Sequence, residues 1–488
     1  MRIFVKLFFG AACVSLVGVL TASCAETGCE GPGTCPPPVG PVADADGGGN
    51  EGGADVIAPP GCDLTKGPKD SPGCVDDAVG VFVSPTGDDG AAGTKAAPVK
   101  SVGKAVTLAG GSGRPRVYVC EGKFAESVSL TKSISIFGGL ACGSFDYTGI
   151  KATLQSTDGT LPALQVGASN ITIADLILLG PEMGAPNSVA VKSVGAKLVV
   201  FERTRVEARS GAKGAAGTRT DFGALPSQVD LNAGNAGDAS GATGGAGKEV
   251  TCPGGLKSKG GKGGDNGFSG DPGTPALGGG AGGLVGQACA GTGTGGDGST
   301  GATVDGVGAA KLGGLVQNDW IPEPGVAGPN GGPGQGGGGG QGVGGGGGGG
   351  GGAGGCGGAG GGGGKGGGAS IAVLSVDSEL QFRSSEIVAG GGGGGGGGAA
   401  GQTGQQIFGF GGNKTGGGCG GGNGGKGGTG GAGGGGAGGL SAGVLHKGSQ
   451  PTFGATPITK GGVGPKGSGG GASNDGAGGS AVDVMAVQ

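Results

Sequence analysis

Long glycine tracts dominate this sequence and restrict what it can fold into. Gly accounts for 144 of the 488 residues, against about 7% in an ordinary globular domain. Glycine has no side chain to bury and costs more backbone entropy to order than any other residue, so it cannot build a conventional hydrophobic core. Large core-forming side chains are also rare, with 14 Phe, 2 Tyr and 1 Trp. Any core must therefore be thin and repetitive, and consist mainly of Val, Ile and Leu.

The first residues predict export. Two basic residues precede an uncharged, mostly apolar run over residues 7–20, which has the length of a signal-peptide core and is short for a membrane span. The run ends in Leu-Thr-Ala-Ser-Cys at residues 20–24. This sequence resembles the bacterial lipobox, in which the cysteine receives lipid, although Leu is commoner where Thr21 stands. We predict a lipoprotein signal peptide over residues 1–23 and lipidation at Cys24; the alternative is an ordinary signal cleavage that leaves a plain cysteine.

The number of cysteines agrees with lipidation and predicts disulfides. Of the 12 cysteines, Cys13 leaves with the signal peptide and Cys24 would carry the lipid, which leaves ten. An even number in an exported protein is typical of a disulfide-bonded chain. Pairing between sequence neighbours is the simplest hypothesis, but ten cysteines permit many connectivities. The disulfide candidates are Cys29, Cys35, Cys62, Cys74, Cys120, Cys142, Cys252, Cys289, Cys356 and Cys419.

Residues 24–60 are predicted to form a disordered tether. Prolines stand there among Gly, Ala and Asp, with almost no large apolar residue, and such a segment cannot bury enough surface to fold. No apolar run after the signal peptide approaches transmembrane length. The lipid on Cys24 would thus be the only membrane attachment.

From residue 78 onward, short apolar stretches alternate with turn residues and predict β-strands. The first strand is expected at 81–83, and the apolar residues of segment 98–106 have the spacing of one face of a short helix. Further strands are predicted at 117–119, 128–130, 134–136, 171–173, 176–178, 189–191, 198–200 and 205–207. Short strands at this spacing are typical of either a β-sandwich or a solenoid.

Internal repetition separates these two architectures. Residues 370–391 align without a gap with 441–462, and residues 188–210 align with the first copy if one extra residue is allowed. The matched pairs include Val373/Val444, Ile387/Ile458, Val191/Val373, Leu198/Leu380 and Phe201/Phe382. A sandwich has no reason to repeat a whole unit, whereas equivalent residues of successive solenoid coils stack into ladders. The repetition therefore predicts an all-β fold, a parallel β-helix.

Glycine-rich insertions interrupt the repeated units. In parts of them a residue other than Gly returns at every third place, as at Ala353, Cys356 and Ala359. Three residues per turn is the period of the polyproline-II helix, which polyglycine can also adopt. Irregular, loosely packed or disordered chain is the more usual state of Gly-rich sequence, and we expect it here; ordered polyglycine-II-like packing is the alternative.

These inferences divide the chain into seven parts. They are a signal peptide (1–23), a tether (24–60), an N-terminal cap with β-helix coils (61–210), a Gly-rich insertion (211–369), one coil (370–391), a second Gly-rich insertion (392–440) and a C-terminal coil with a Gly-rich end (441–488).

Two stretches carry a resemblance to known proteins. Residues 83–102, with Ser-Pro-Thr-Gly-Asp-Asp-Gly at their start, resemble the opening of many right-handed parallel β-helix proteins, where a short helix caps the solenoid. Residues 136–149 and the strand-then-polyglycine unit at 370–391 look like glycine-rich, PGRS-like surface lipoproteins of Gram-negative bacteria. The resemblance implies a right-handed, pectin-lyase-like β-helix body and a place on the outer membrane or cell surface. It implies no particular activity.

Composition excludes several functions. The net charge of −4 gives no basic field for nucleic acid, and a single histidine, His446, rules out a multi-histidine metal site. His446 aligns with Ser375 of the sister copy, which favours a coil-surface position over a catalytic one. Residues 260–265 match part of a calcium-binding nonapeptide but do not recur in tandem. No metal ion or cofactor is predicted.

A polysaccharide-degrading enzyme on the same fold is the alternative function. It would need clustered carboxylates, and the best candidate is the charged segment 202–209. Strand alternation points Val206 and Ala208 inward and Arg205 and Glu207 outward, which predicts a solvated outer face. We therefore expect a non-catalytic protein with a structural or adhesive role. Its partners would be the membrane, through the lipid, and a cell-surface glycan or protein.

Overall fold

A computed structural model describes residues 58–182, 185–233 and 237–488, which belong to one compact unit spanning residues 53–488. The predicted signal peptide, the lipidation residue Cys24, the cysteines Cys29 and Cys35 and all of the tether except residues 58–60 lie outside the described residues.

Short β-strands make up most of the regular structure. The first half of the chain contains a 3₁₀ turn (Pro72–Cys74), β1 (Gly80–Val83), α1 (Val102–Ser112), β2 (Arg116–Cys120), β3 (Lys123–Ala125), β4 (Val128–Leu130), β5 (Ser135–Leu140), β6 (Ala152–Gln155), β7 (Leu164–Val166), β8 (Ile171–Ala174), β9 (Leu176–Leu179), β10 (Ser188–Val194), β11 (Val199–Glu202) and β12 (Arg205–Ala208). The rest of the chain contains α2 (Gln228–Leu231), β13 (Glu249–Thr251), β14 (Lys257–Lys259), β15 (Gly313–Val316), β16 (Asp319–Pro322), β17 (Ser370–Val376), β18 (Leu380–Arg383), β19 (Glu386–Ala389), β20 (Leu440–Lys447), β21 (Thr452–Gly454), β22 (Ile458–Thr459) and β23 (Ser480–Ala486).

Three parallel sheets contain nineteen of these strands. Sheet 1 has the order β1-β2-β5-β8-β11-β18-β21, sheet 2 has β3-β6-β9-β12-β19-β22, and sheet 3 has β4-β7-β10-β17-β20-β23. From β2 onward the chain passes through sheets 1, 2 and 3 in that order and then starts again. The all-β prediction is confirmed, and the strands of each sheet are parallel. The remaining four strands form two antiparallel hairpins, β13-β14 and β15-β16.

Each sheet contributes one ladder of apolar residues to a common core. In sheet 1 the ladder is Val81, Val117, Ile136, Ile173, Phe201, Phe382 and Phe453. In sheet 2 it is Phe124, Leu154, Leu178, Val206, Ile387 and Ile458. In sheet 3 it is Val128, Leu164, Val191, Val373, Val444 and Val484. All of these side chains belong to one core cluster or pack against it.

The register confirms most of the predicted repeat but corrects one position. Val373 pairs with Val444, and Ile387 pairs with Ile458, as the sequence alignment indicates. Val199, not Leu198, pairs with Leu380. Leu198 has a φ of +52° and is 64% exposed, because the extra residue of this copy lies in the turn before β11. Because Leu198 and Val199 are both apolar, the sequence alone could not show which of them lies opposite Leu380.

The N-terminal end of the core is covered by α1. The predicted helix at 98–106 instead begins at Val102 and ends at Ser112. Ser101 caps it by accepting a hydrogen bond from the Lys104 N–H, and the Glu126 carboxylate accepts the N–H groups of Val102 and Gly103. These acceptors satisfy backbone donors that have no partner within a helix.

Glycine-rich insertions leave the strand body at a single corner. They occupy residues 209–369 between β12 and β17, 390–439 between β19 and β20, and 460–479 between β22 and β23. Each of them connects sheet 2 to sheet 3. The third lies before the last strand, so the Gly-rich end predicted for the C-terminal part is also an insertion. We refer to the three insertions together as the glycine block.

The described residues of the glycine block are ordered, which corrects the expectation of loose or disordered chain. Residues 331–340 run antiparallel to 349–358 and donate to them at every third residue, for example from Gly334 to Gly355 and from Gly337 to Gly352, with N–O distances of 2.8 and 2.9 Å. Neighbouring segments repeat this pattern. A three-residue period of hydrogen bonds between extended chains is that of polyglycine II.

Close approach of these chains requires glycine. A Cβ on Gly351 would lie 1.9 Å from the Gly337 carbonyl oxygen, and one on Gly348 would lie 2.0 Å from the carbonyl oxygen of Gly340. Residues 346–359 are all buried. The entropy cost of ordering glycine is therefore offset by hydrogen bonds that each segment makes to several neighbouring segments at once. A single glycine tract by itself would have no such partners.

Four disulfides stabilise the described chain. Cys62–Cys74 and Cys120–Cys142 join sequence neighbours in the N-terminal part. In the glycine block, Cys252 pairs with Cys356 and Cys289 with Cys419, over separations of 104 and 130 residues. The simple hypothesis of neighbour pairing is wrong for these four cysteines, because the folded block brings together segments that are far apart in sequence.

Candidate functional site

A hairpin inserted in the glycine block lies on the outer face of sheet 3. Strands β15 and β16 are joined by Gln317 and Asn318, which have φ values of +51° and +65°, as a two-residue type I′ turn requires. Trp320 of β16 is only 2% exposed and packs among apolar residues of β17 and β20. Asn187 fixes the hairpin, since its amide donates to the Trp320 carbonyl at 2.7 Å.

Two adjoining cavities form a groove along this hairpin. The first has a volume of about 400 Å³ and lies between the hairpin and the outer face of sheet 3. The second, of about 500 Å³, lies between the hairpin and the first segments of the glycine block. Pro186 and Ile321 line both cavities, and Ile321 is 49% exposed. Volumes of this order suit small or extended ligands.

The groove has a mixed polar and apolar lining. In the first cavity Lys192 forms an ion pair with Asp319 at 2.5 Å. In the second cavity the charged lining residues are Lys213 and Lys365. Four prolines also line the groove, and each presents apolar CH groups and no N–H donor. They are Pro162, Pro186, Pro322 and Pro324.

A second candidate site is a charged cluster at the corner between sheets 1 and 2. Arg203 donates to both carboxylate oxygens of Asp175, from Nε at 2.9 Å and from Nη2 at 2.8 Å. Tyr147 donates its hydroxyl to the same carboxylate at 3.2 Å. Glu202 also pairs with Arg203. Asp175 is 2% exposed, so the cluster is largely closed to solvent.

Hydrogen bonding explains the electrostatics of this cluster. The bonds to Asp175 raise the pKa of Arg203 above its already high ordinary value. Burial raises the pKa of Tyr147, and the Asp175 charge adds to this effect. Both carboxylate oxygens of Asp175 already accept N–H donors. The geometry is that of a structural ion pair that joins successive turns of the chain.

Backbone conformation at this corner supports a structural role. Asp175 and Arg203 have φ values of +54° and +51°, and Ser384 and Ala455 occupy the same corner at +47°. Such values are uncommon for residues other than glycine. Hydrogen bonds offset the strain, because the N–H of Asp175 donates to Glu202 and that of Arg203 donates to Arg383. The corner therefore repeats from one passage of the chain to the next.

Within the charged segment 202–209, the side chains of β12 alternate between the two faces as predicted. Val206 and Ala208 are buried, whereas Arg205 and Glu207 lie on the outer face. Arg205 donates to Glu207 at 2.9 Å and to Glu386 of the next strand at 2.7 Å. Glu207 is thus paired within β12 and Glu386 across to β12, both on the exterior of sheet 2.

The other sequence candidates have structural partners. His446 pairs with Ser375 in sheet 3 as predicted, but it is 6% exposed, so the expected surface position is wrong. Its Nδ1 lies 3.2 Å from the Gly448 carbonyl oxygen. Asp265, in the partial calcium motif, accepts the Gly244 N–H, and this bond and Lys262 lower its pKa.

The described part of the chain contains no group of three or more His, Cys, Asp or Glu residues placed to hold a metal ion. Among the helices of residues 58–182, 185–233 and 237–488, none is long and apolar enough to cross a bilayer.

The hairpin groove was not anticipated from sequence. Asn187 and Trp320 are 133 residues apart, and only the folded insertion brings them together. A usable signal was the sequence 313–322, in which two apolar stretches flank a Gln-Asn pair. Comparisons with known proteins gave no match to this chain among family models, curated proteins or solved structures.

Proposed function

We propose that this chain is an exported lipoprotein, anchored through Cys24 to the outer membrane or cell surface, with a structural or adhesive role and no catalytic activity. The apolar run at 7–20 and the Ala-Ser-Cys at its end support export and lipidation. Four disulfides support an oxidising compartment. Its PGRS-like character rests on the sequence resemblance.

The body of this lipoprotein would be a right-handed parallel β-helix. The cyclic order of sheets 1, 2 and 3 supports this architecture, as does the common core formed by their three ladders. Parallel crossover connections are right-handed in about 98% of cases, which supports the handedness. The short helix α1 would then be the N-terminal cap of the solenoid.

One observation carries the functional proposal: all three insertions leave at the same corner and join into one hydrogen-bonded block beside the body. A block stabilised by backbone bonds and two disulfides is a rigid platform. Its hairpin creates the groove described above, beside the outer face of sheet 3. A rigid body that presents a groove suits binding and adhesion.

The charged clusters support a non-catalytic role. General acid–base catalysis needs a carboxyl group within reach of a substrate proton. Asp175 is buried and held by Arg203, and Glu207 and Glu386 are paired with Arg205. Each of these carboxylates is engaged in an ion pair with an arginine.

A binding screen tests the adhesive role. The mature chain, immobilised through an added C-terminal tag, would be probed with a glycan array and with whole bacterial and host cells. We expect saturable binding that resists competition by an unrelated Gly-rich protein. The same preparation, incubated with acidic polysaccharides with and without Ca²⁺, should release no product. Turnover would contradict the proposal and favour a polysaccharide lyase or hydrolase.

A separate experiment tests the anchor. Cys24→Ala should move the protein from the membrane fraction to the soluble fraction and remove labelling by a clickable palmitate analogue. Cys13→Ala is the matched control, because it removes a cysteine from the signal peptide without changing the acceptor, and it should label normally. Unchanged membrane association of Cys24→Ala would contradict lipidation.

A further inference from the structure

The glycine block packs as a lattice of extended helices in which each chain can have neighbours on all sides. Residues 346–368 form a long helix near its centre. On one side of it, Gly348 donates to Gly264 and Gly351 donates to Gly261, at 2.9 and 2.8 Å. The segment around residues 261–264 therefore fills one lattice position beside the beginning of this helix.

Further along the same helix this neighbour ends. A helix with three residues per turn directs every third N–H to the same side. Two of the later donors on that side are satisfied by side chains: Gly354 donates to Ser258 Oγ at 2.8 Å, and Gly360 donates to Asn330 Oδ1 at 3.0 Å. Gly357, Gly363 and Gly366 complete the row, and no described residue accepts from their N–H groups. Of these three, only Gly366 lines a cavity of the groove.

The second cavity of the groove lies where this row ends. Gly366 lines it, together with small residues of the neighbouring helix, Ala212, Gly214 and Ala215. Small residues allow a ligand backbone to come close, as the chains within the block do. The cavity therefore has the place and the shape of one more extended helix, next to donors that lack acceptors.

The lining of this cavity also indicates the composition of its occupant. Lys213 and Lys365 are exposed, neither forms an ion pair with a described residue, and no acidic residue lines the cavity. Pro322 and Pro324 form the opposite wall and cannot donate to an added β-strand. Polyproline-II segments are known to dock in aromatic-lined grooves; here proline rings and Ile321 supply the apolar walls instead. The carbonyl groups of such a segment are free to accept hydrogen bonds.

We propose that this cavity binds an acidic, proline- or glycine-rich segment of a partner protein in the polyproline-II conformation. The segment takes the open lattice position, its carbonyl groups accept from Gly363 and Gly366, and its carboxylates face Lys213 and Lys365. This inference rests on the proposed adhesive function and names the chemistry of the protein partner.

Fluorescence anisotropy with a labelled peptide of Pro-Pro-Asp repeats, about twelve residues or four turns long, tests the inference on the full mature chain. The peptide should bind, and affinity should fall with added salt because the charges are exposed. The double variant Lys213→Glu/Lys365→Glu should weaken binding by about tenfold or more. The matched double variant Lys123→Glu/Lys426→Glu, at exposed lysines outside the groove, should bind like the unchanged protein.

Two further measurements cover the alternatives. Ala215→Trp fills the cavity from an exposed position and should abolish peptide binding while the unfolding temperature stays unchanged. A Pro-Pro-Lys peptide should not bind. Equal affinity of both lysine double variants would overturn the inference, and so would failure of the Pro-Pro-Asp peptide to bind. Stronger groove-dependent binding of carboxymethyl-dextran or dextran sulfate would assign the groove to an anionic polysaccharide instead. If the Pro-Pro-Asp peptide does not bind but the protein still binds cells, this inference is wrong and the proposed adhesive function is unaffected.

Discussion

The strand body and the glycine block are built on opposite principles. In the body, side chains define the structure: each ladder stacks Val, Ile, Leu and Phe from successive strands, and Phe201, Phe382 and Phe453 stack ring on ring at centroid distances of 4.7 and 5.9 Å. In the block, side chains are nearly absent, and chains meet backbone to backbone through hydrogen bonds that repeat every three residues. Burial of apolar surface stabilises the first region, and hydrogen bonding in a water-excluded lattice stabilises the second.

The difference predicts opposite sensitivities to substitution. A body position tolerates another apolar residue of similar volume, because interiors accept volume-conserving changes. A block position tolerates no side chain at all where the Cβ direction points at a neighbouring carbonyl. Even a single added methyl group should therefore destabilise the block. The body should be destabilised by substitutions that remove side-chain volume or introduce a charge.

The largest effect is expected for Gly351→Val. The added Cβ would lie 1.9 Å from the Gly337 carbonyl oxygen, with backbone atoms that cannot move aside. We expect the block to lose more than about 5 kcal/mol of stability, beyond the usual range for single substitutions. Hydrogen exchange should show loss of protection over residues 331–368 while sheets 1 and 2 stay protected.

Gly420→Ala is the matched control in the same block. Its Cβ would meet only the Gly412 carbonyl oxygen, at 3.8 Å, an ordinary contact. Its unfolding temperature should match that of the unchanged protein. If Gly351→Val were as stable as Gly420→Ala, the block could not be a close-packed backbone lattice.

The next largest effect is expected in the body, for Ile387→Asp. Ile387 is fully buried between Val206 and Ile458 of its ladder. An unpaired carboxyl group there should cost about 4 kcal/mol in the free energy of unfolding. Denaturant unfolding measures the loss. Neighbouring Glu386→Ala removes only a half-exposed partner of Arg205 and should change the same free energy by less than about 1 kcal/mol. Equal losses at both positions would contradict the alternation of inward and outward side chains.

The body was predictable from sequence because its side chains carry a period. Matches such as Val373/Val444 and Phe201/Phe382 identified equivalent positions, and the structure pairs them. Alignment erred only at Leu198, where its neighbour Val199 is also apolar. Exposure decides between the two, and a sequence does not show it.

The block and its groove were harder to predict for a physical reason. Each glycine tract alone lacks the burial to offset its ordering entropy, so composition favours disorder. Order appears only when several tracts share hydrogen bonds, and their pairing depends on the corner at which the strands release them. The spacing of Ala353, Cys356 and Ala359 did indicate three residues per turn, but it did not indicate neighbours. The Cys252–Cys356 disulfide could not be predicted for the same reason, since it joins two segments that become neighbours only in the folded block.

Removal of single disulfides should produce smaller losses of stability, which differ between the glycine block and the N-terminal part of the body. The double variant Cys252→Ser/Cys356→Ser opens a link across 104 residues of the block and should cost about 2–4 kcal/mol. Cys62→Ser/Cys74→Ser opens a link across 12 residues and should cost less, because a shorter loop restricts the unfolded chain less. Calorimetry of both double variants measures which of them loses more unfolding free energy. A larger loss from the shorter link would show that unfolded-chain entropy does not set these contributions.

The smallest effect is a pH dependence that comes from one buried tyrosine of the body. Tyr118 is fully buried under the N-terminal segment and donates its hydroxyl to the Cys74 carbonyl. Burial raises its pKa from 10.0 to about 12. Above pH 10 the unfolded chain loses this proton while the folded protein keeps it, so stability is complete below pH 10 and falls as the pH rises toward 12. Two pKa units correspond to at most about 2–3 kcal/mol.

The variant Tyr118→Phe tests this assignment. It should be less stable than the unchanged protein at pH 8, because it lacks the hydrogen bond. Between pH 10 and 12 it should lose less stability than the unchanged protein, as measured by denaturant titrations followed by circular dichroism. Backbone hydrogen bonds of the block have no group that titrates in this window. An equally steep alkaline decline in Tyr118→Phe would therefore assign the pH dependence to other groups and remove this distinction between the two regions.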